Sequence, residues 1–228
     1  MNKLSARFLD IFNSDAFPYD VLVIGAGSVG SNIILHLAKM GIKNIGVCDF
    51  DTISEENIGV SILYGFKDIG KNKAMAIKEK VLDLVDDAVR IHEFTDRIEN
   101  NKEIINDFDI VISAVDSISA RQNIFNIVLE SKNVKLYIDT AMGGMALTAK
   151  VVDMSDENDK YKYYRYITSL NDSNVPDIRC TSKSTLHGTS VLAAFVESII
   201  IQYYNSQGKK PMFSTKDFNF NLAVFSDL

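Results

Sequence analysis

A glycine-rich turn between a short apolar run and a run with helical spacing constrains the fold of this chain more than any other feature. The run "YDVLVIG" at residues 19–25 predicts a buried parallel strand, and "VGSNIILHLAKMG" at residues 29–41 predicts a helix that ends in glycine. The apolar run "KNIGVCD" then predicts a second strand. Parallel strands need a crossover connection, so these three segments predict one βαβ unit.

The alternation of strand and helix patterns continues to residue 141. We predict helices at residues 71–85, 101–108 and 120–133, and strands at residues 89–94, 109–116 and 134–141. This alternation favours an α/β fold with a doubly wound, Rossmann-like sheet and helices on both of its faces.

The pattern changes from Met142 onward. Residues 143–153 predict a strand that leaves the alternation, and the polar run at residues 154–180 is too long for an ordinary connection, which favours a crossover loop. A long apolar helix at residues 186–208 and a final strand at residues 217–225 complete this extension. We expect a single domain over residues 1–228, with its nucleotide-binding part at about 19–141 and the extension at about 142–228.

Composition and charge exclude several classes of protein. The chain is 46% hydrophobic and 24% charged with a net charge of −6, which is typical of a globular protein and gives no footprint for nucleic acid or a membrane surface. Because we find no signal peptide and no apolar run of spanning length, we expect a cytoplasmic protein. Cys48 and Cys180 lie far apart and form no CxxC pair, so we expect neither a disulfide framework nor a zinc site.

The turn "GAGSVG" indicates a nucleotide-binding site. Its glycines, Gly25, Gly27 and Gly30, stand between a strand and a helix, where a tight turn and a helix N-terminus bind phosphate. Asp49 ends the second strand, at the place of an acid that binds a ribose. These features indicate an adenine nucleotide, and by themselves they do not separate a nicotinamide-dependent dehydrogenase from a protein that uses ATP.

Four motifs in order carry a resemblance to a known family. "GAGSVGS", "DFDTISEENIGVS", "DIGKNKA" and "AVDSISAR" resemble, at the same spacing, the motifs of the ThiF/MoeB/HesA family, the bacterial relatives of ubiquitin-activating enzymes. The resemblance covers residues 21–150. It implies adenylation with ATP and Mg²⁺ of the C-terminal carboxylate of a small ubiquitin-like or sulfur-carrier protein, often one ending in Gly-Gly. It also implies a homodimer.

The resemblance implies roles for individual residues. Asp49 would hold the ribose and Asp51 would support the loop. Asn57 and Lys73 would face the phosphates. Asp116 would hold Mg²⁺, and Arg121 would be a supporting residue near the site.

The chain departs from the family pattern at Val60, where the family has an arginine. An isopropyl group cannot replace a guanidinium on a polyphosphate. Either another cation takes this place, with Lys67, Lys71 and Arg7 as candidates, or the adenylation site is weakened. Many family members supply an arginine across the dimer interface from the N-terminal segment, where Arg7 is the candidate.

Cys180 has two open interpretations. The resemblance implies a cysteine before a late helix that forms a thioester or persulfide with the carrier protein, and the basic neighbours Arg179 and Lys183 would favour its thiolate. The alternative is an inert loop cysteine. His187 either assists Cys180 or is structural, whereas Cys48 lies in an apolar strand and is expected to be buried.

Three functions therefore remain open from the sequence. The first is an ATP-dependent adenylyltransferase, with Lys73, Asp116 and possible transfer to Cys180 as its chemistry. The second is a non-catalytic or partner-dependent relative that keeps the nucleotide fold, which Val60 favours. The third is an NAD-dependent Rossmann oxidoreductase, which Asp49 alone would support.

Overall fold

The fold is built on a six-stranded sheet. In the computed structural model, which describes residue 4 and residues 6–143, 146–171 and 184–209, the strand order is β3-β2-β1-β4-β5-β6. The first five strands are parallel and β6 runs antiparallel to β5. The strands are β1 (Val21–Ile24), β2 (Asn44–Cys48), β3 (Arg90–Phe94), β4 (Ile110–Ser113), β5 (Leu136–Gly143) and β6 (Ala146–Asp153). The predicted doubly wound sheet is confirmed, and so is the strand that leaves the alternation.

The direction of winding reverses between β1 and β4. From β1 the chain adds β2 and β3 on one side, and then returns to place β4, β5 and β6 on the other. Ile24, the last residue of β1, pairs with Cys48 of β2 and Ser113 of β4, so these strands end at one level. These residues lie at the carboxyl-terminal ends of the strands, which form one edge of the sheet. We call the space beyond this edge, between residues 25–30 and residues 114–116, the crevice. In open α/β sheets, ligands bind at such a reversal.

Helices cover both faces of the sheet. They are α1 (Ser28–Met40), α2 (Glu55–Ile58), α3 (Lys73–Val85), α4 (Ile118–Glu130), α5 (Glu157–Ser169) and α6 (Leu186–Asn205). One core joins α1, α3 and α6 to one face, and a second joins α4 and α5 to the other. The short helix predicted at residues 101–108 is a 3₁₀ helix, Lys102–Asp107.

The pairing of α1 and α6 closes one layer. α1 ends where Gly41 adopts a left-handed conformation with φ 82°, as the glycine stop predicts. Asn32, buried in α1, donates to Thr189 Oγ1 of α6 at 3.1 Å. α6 is long and apolar enough to cross a membrane by length and composition, so the prediction that no segment reaches spanning length is wrong for this helix. It packs against α1, β5 and β6. Its apolar character is therefore explained by its place in the core.

The prediction of a crossover loop over residues 154–180 is wrong for about its first half. α5 lies inside that run, and its N-cap Asp156 accepts hydrogen bonds from the N–H groups of Asn158 and Asp159. Its buried side chains, Asp159, Tyr163 and Ile167, recur every four residues. Only two of these are apolar, so the helical period is hidden in a strongly polar segment. Cys180 and the strand predicted at residues 217–225 lie outside the described residues.

Candidate active site

The glycine turn is shaped by backbone contacts that leave no room for side chains at two of its positions. Gly25 has φ +94°, and a Cβ there would lie 2.6 Å from the carbonyl oxygen of Ala114. A Cβ on Gly30 would lie 1.9 Å from the carbonyl oxygen of Gly25. At Gly27 a Cβ would meet no atom within 4 Å. The turn thus packs tightly against Ala114, the residue after β4, at Gly25 and borders open space at Gly27.

Asp49 connects this turn to the loop that follows β2. Its carboxylate accepts the N–H of Ala26 at 2.6 Å through one oxygen and the N–H of Asp51 at 2.8 Å through the other. Burial raises the pKa of the Asp49 carboxyl above its ordinary value, and the two N–H groups and the nearby Lys73 ammonium oppose that shift. The position at the crevice fits the ribose role implied by the resemblance, since each oxygen keeps a second lone pair as an acceptor.

Lys73 is held at the start of α3 by Asp51. The Lys73 ammonium lies 3.1 Å from an Asp51 carboxylate oxygen, and the Lys73 N–H donates to the Asp51 carbonyl at 2.9 Å. Asn72 caps the helix by accepting the N–H of Met75 at 3.1 Å, and its amide donates to the Asp49 carbonyl at 3.0 Å. Because the Lys73 side chain is only 11% exposed, the loop fixes where its charge lies.

Asn57 is engaged within its own short helix. Its side-chain oxygen accepts the N–H of Ser54 at 3.0 Å and lies 3.3 Å from the Ser54 hydroxyl. Ser54 and Asn57 thus form a capping box at the start of α2. The two N–H bonds of its side-chain amide remain as donors toward a ligand. The structure therefore gives Asn57 a role in the loop and is compatible with the implied contact to phosphate.

The segment after Val60 is organised by a buried acid that the sequence did not single out. Asp68 has no exposed side-chain surface, and its carboxylate lies 3.0 Å from the Lys80 ammonium and 3.3 Å from the Lys71 ammonium. It also accepts the N–H of Gly65 at 3.0 Å. Burial opposes ionisation, but these donors together hold the pKa of Asp68 below its ordinary value.

The candidates to replace the missing arginine are placed unequally. Lys71 pairs with Asp68 and, at 2.9 Å, with Glu79, so its charge is already engaged. Lys67 lies exposed in the 3₁₀ helix Phe66–Asp68.

Arg7 makes no hydrogen bond or ion pair with the crevice within the described residues. It belongs to the N-terminal segment that packs at the opposite edge of the sheet, where Asn205 at the end of α6 donates to the Ile11 carbonyl at 3.0 Å. The structure gives no support for a contact between Arg7 and the glycine turn of the same chain in the part that it describes.

Asp116 lies just beyond β4 with an exposed carboxylate, for which no hydrogen bond or ion pair is found within the described ranges. The preceding residue is fixed: the Arg121 guanidinium donates to the Val115 carbonyl, to the Asp139 carboxylate at 2.7 Å and to the Thr140 carbonyl at 2.5 Å. Burial raises the pKa of Asp139, and the Arg121 charge opposes that shift. A buried ion pair thus ties the start of α4 to β5 and to the loop that carries Asp116.

The donor set suits magnesium bound together with a nucleotide. No cluster of three or more acidic, histidine or cysteine side chains that could hold a metal occurs in the described part of the chain. Mg²⁺ is usually held by one or two carboxylates together with substrate phosphates, so a dedicated cluster is not required. The exposed carboxylate of Asp116, close in sequence to the Ala114 carbonyl that contacts Gly25, fits that arrangement.

A broad surface hollow lies elsewhere and does not fit a polyphosphate. It has a volume of about 730 Å³ and lies at the amino-terminal edge of the sheet, where it is lined partly by Asp83, Asp86 and Asp87. With Asp15 it holds four carboxylates against two cations, Lys43 and Arg90, so its lining is net negative and disfavours phosphate, whereas the crevice offers a helix N-terminus and Lys73.

Two further residues belong to the site and were missed from the sequence. Tyr64 is buried, and its hydroxyl donates to the Ala26 carbonyl at 2.6 Å. Asp139 interrupts the apolar strand "LYIDT", and a charge inside a buried strand signals a hidden partner, here Arg121. The same reasoning could have flagged Tyr64, because a buried phenol usually finds a hydrogen-bond acceptor.

The chain is similar in sequence to proteins of known name. A probable molybdopterin-synthase adenylyltransferase from Porphyra purpurea is 30% identical over 168 residues, covering 73% of this chain and 42% of that protein. The NEDD8-activating enzyme E1 catalytic subunit of Arabidopsis thaliana is 37% identical over 105 residues, covering 46% of this chain and 23% of that protein. The chain spans less than half the length of these relatives.

The fold has counterparts among solved structures. A crystal structure of E. coli MccB with ATP superimposes with a TM-score of 0.65 at 19% identity, covering 92% of this chain and 66% of that one. At this identity the likeness concerns the fold alone. The model of the ThiF family matches residues 10–225, nearly the whole sequence, and the chain belongs to the ThiF family.

Proposed function

We propose that this protein is an ATP-dependent adenylyltransferase that activates the C-terminal carboxylate of a ubiquitin-like or sulfur-carrier protein. The observation that carries the proposal is the convergence of the motifs at one edge of the sheet. The Asp49 carboxylate accepts an N–H of the glycine turn, Asp51 holds Lys73, and Asp116 lies two residues after Ala114, which contacts Gly25. Relatives named as adenylyltransferases and activating enzymes support the same reaction class.

The chemistry explains these residue types. An oxygen of the carrier carboxylate attacks the α-phosphorus of ATP, the bond between that phosphorus and the bridging oxygen breaks, and pyrophosphate leaves. Negative groups must be brought together, so the site has to supply positive charge where negative charge accumulates. The N-terminus of α1 and the Lys73 ammonium supply it from this chain, and Asp49 orients the nucleotide through the ribose.

Asp116 is the residue proposed to hold Mg²⁺. When bound, the ion would neutralise phosphate charge and orient the leaving group. The Arg121–Asp139 pair keeps the backbone before Asp116 in place, and no partner within the described residues engages the Asp116 carboxylate, which leaves it available to the ion.

A partner-dependent relative is the second candidate, and one observation favours it. Position 60 carries valine, and of the nearby lysines Lys71 is engaged by Asp68 and Glu79. A second copy or another protein would then supply the missing cation. For the adenylyltransferase we also propose a homodimer, in which Arg7 is the candidate to cross the interface, and a cytoplasmic location.

An exchange assay tests the proposed function. Protein, Mg-ATP, labelled pyrophosphate and a panel of small carrier proteins ending in Gly-Gly should give carrier-dependent exchange. Asp116→Ala should abolish it, whereas Asp107→Ala, an exposed acid at the other edge of the sheet, should leave it unchanged. Full exchange by Asp116→Ala would remove Asp116 from the metal role. Binding of NADH without binding of ATP would instead favour the oxidoreductase.

Transfer to Cys180 is a separate second step of the proposal. Attack of the Cys180 thiolate on the acyl adenylate would form a thioester and release AMP. Cys180→Ala should therefore leave exchange intact and prevent a thiol-sensitive carrier conjugate, as judged on gels with and without reductant. Loss of exchange in this variant would assign the cysteine a structural role.

A further inference from the structure

Tyr64 is a buried residue that contacts the backbone of the glycine turn. Its side chain is 6% exposed, and its hydroxyl donates to the Ala26 carbonyl at 2.6 Å and lies 3.5 Å from the Lys73 carbonyl. A phenol has a single proton, so the shorter contact is the hydrogen bond. Burial raises the pKa of Tyr64 far above its ordinary value, and the hydroxyl remains a donor at any working pH. Tyr64 therefore fixes the direction of the Ala26 carbonyl.

The planarity of the peptide bond transmits this constraint to Gly27. In a trans peptide the C=O of one residue and the N–H of the next point in opposite directions. The Ala26 carbonyl points toward Tyr64, so the Gly27 N–H points away from Tyr64. The other peptide plane of Ala26 is also held, because its N–H donates to Asp49 at 2.6 Å.

The Gly27 N–H is not used as a donor in the part of the chain that the structure describes. Within the described ranges no acceptor is found for it, and the space at the Cβ position of Gly27 is open. Gly27 is the N-cap of α1, so this N–H joins the unpaired donors at the positive end of a 13-residue helix. A backbone donor that is aimed outward and left unpaired at a helix N-terminus suits an anion.

We propose that Tyr64 is a positioning residue for the nucleotide, which aims the Gly27 N–H into the crevice to bind a phosphate oxygen. This inference rests on the proposed function, since it assumes that ATP occupies the turn. Asp49 and Tyr64 hold the two sides of one residue, Ala26, and neither the carboxylate–amide contact nor the phenol–carbonyl contact involves a phosphate. Tyr64 also lies beside the carbonyl of Lys73, so the turn and the start of α3 share one buried support.

Tyr64→Phe is the test, since it keeps the ring and removes only the hydroxyl. Tyr203→Phe is the matched control: Tyr203 is 3% exposed and packs against Tyr19, which precedes β1 at the opposite edge of the sheet. We expect Tyr64→Phe to raise the KM for ATP in the exchange assay roughly tenfold, the size of one lost hydrogen bond, with kcat changed by less than about twofold. Tyr203→Phe should change neither constant.

The ¹⁵N–¹H resonance of Gly27 gives a readout that a purely structural role would not change. Addition of Mg-ATP should shift this resonance in the wild-type protein and in Tyr203→Phe, and shift it much less in Tyr64→Phe. If Tyr64→Phe has an unchanged KM and an unchanged Gly27 shift, the inference about Tyr64 is wrong, whether or not the Tm falls, and the proposed function still stands. A fall in kcat with constant KM would also overturn it. Failure of the wild-type protein to bind ATP would overturn the proposed function and this inference together.

Discussion

Substitution by alanine should have different effects on folding stability at two glycines of the turn, Gly27 and Gly30. Gly27→Ala is the more informative change. Gly27 has φ −72°, which alanine adopts without strain, and its Cβ would meet nothing within 4 Å. At an N-cap, alanine lowers the free energy of unfolding by up to about 1 kcal/mol relative to glycine. The same change reduces the conformational entropy of the unfolded chain, which raises the free energy of unfolding by about 0.4–1 kcal/mol. These terms nearly cancel, so the Tm should change by less than about 3 °C.

Gly30→Ala is the matched destabilising change. Its Cβ would lie 1.9 Å from the carbonyl oxygen and 2.9 Å from the carbonyl carbon of Gly25, and both are backbone atoms of the turn. Backbone cannot rotate away as a side chain does, so the turn itself must move. A cost at the upper end for overpacking, about 3 kcal/mol, corresponds to a Tm lowered by roughly 6–12 °C in a chain of this size.

Thermal unfolding by circular dichroism and titration with Mg-ATP by calorimetry separate the two effects. Gly27→Ala should unfold like the wild-type protein but bind ATP at least about tenfold more weakly, since its methyl group enters the crevice where phosphate would lie. Unchanged ATP affinity in Gly27→Ala would refute the placement of phosphate along Gly27. A Tm loss as large as that of Gly30→Ala would refute the geometry of the turn itself.

Two buried acids give further predictions. Arg121→Leu leaves the Asp139 carboxylate buried without its partner and should lower the free energy of unfolding in urea by about 3–5 kcal/mol. Adding Asp139→Leu should restore most of this loss, and a double variant without recovery would contradict a paired charge. The pKa of Asp68 is held low in the folded protein, so its contribution to stability is present above the ordinary pKa of aspartate, near 4, and is lost as the pH falls through the lower folded value. Asp68→Asn should therefore be less stable than the wild-type protein at pH 7 and approach it below about pH 4, and a difference that stays constant with pH would argue against an ionised Asp68.

The sequence was sufficient for the parallel part of the fold because its signals there are local. Apolar runs mark buried strands, and a glycine in a left-handed conformation ends α1 as predicted. The glycine turn and Asp49 could be placed together because a strand, a turn and a helix leave few arrangements for the residues between them.

The parts that could not be predicted depend on contacts between distant segments. α5 was missed because its buried face includes Asp159, which accepts the N–H of Asp153 at 3.3 Å, so one of its inward positions is polar. The link from Tyr64 to Ala26 joins residues 38 apart in sequence, and that from Arg121 to Asp139 joins residues 18 apart. Period and spacing carry no information about such pairs, although a charge inside an apolar strand shows that a partner must exist.

The direct backbone contact between Gly25 and Ala114 has a consequence for how the molecule comes apart. The half of the sheet built on β1, β2 and β3 meets the half built on β4, β5 and β6 along the pairing of β1 with β4, and this contact continues that pairing. Asp49 and Lys73 lie on the first side and Asp116 on the second. A nucleotide in the crevice would bridge both halves, and local opening of either half would release it. Saturation with ATP at one hundred times its Kd would then add about 2.7 kcal/mol to global stability. It should slow amide hydrogen exchange in β1 and β4 together, so that the ligand makes the two halves a single cooperative unit.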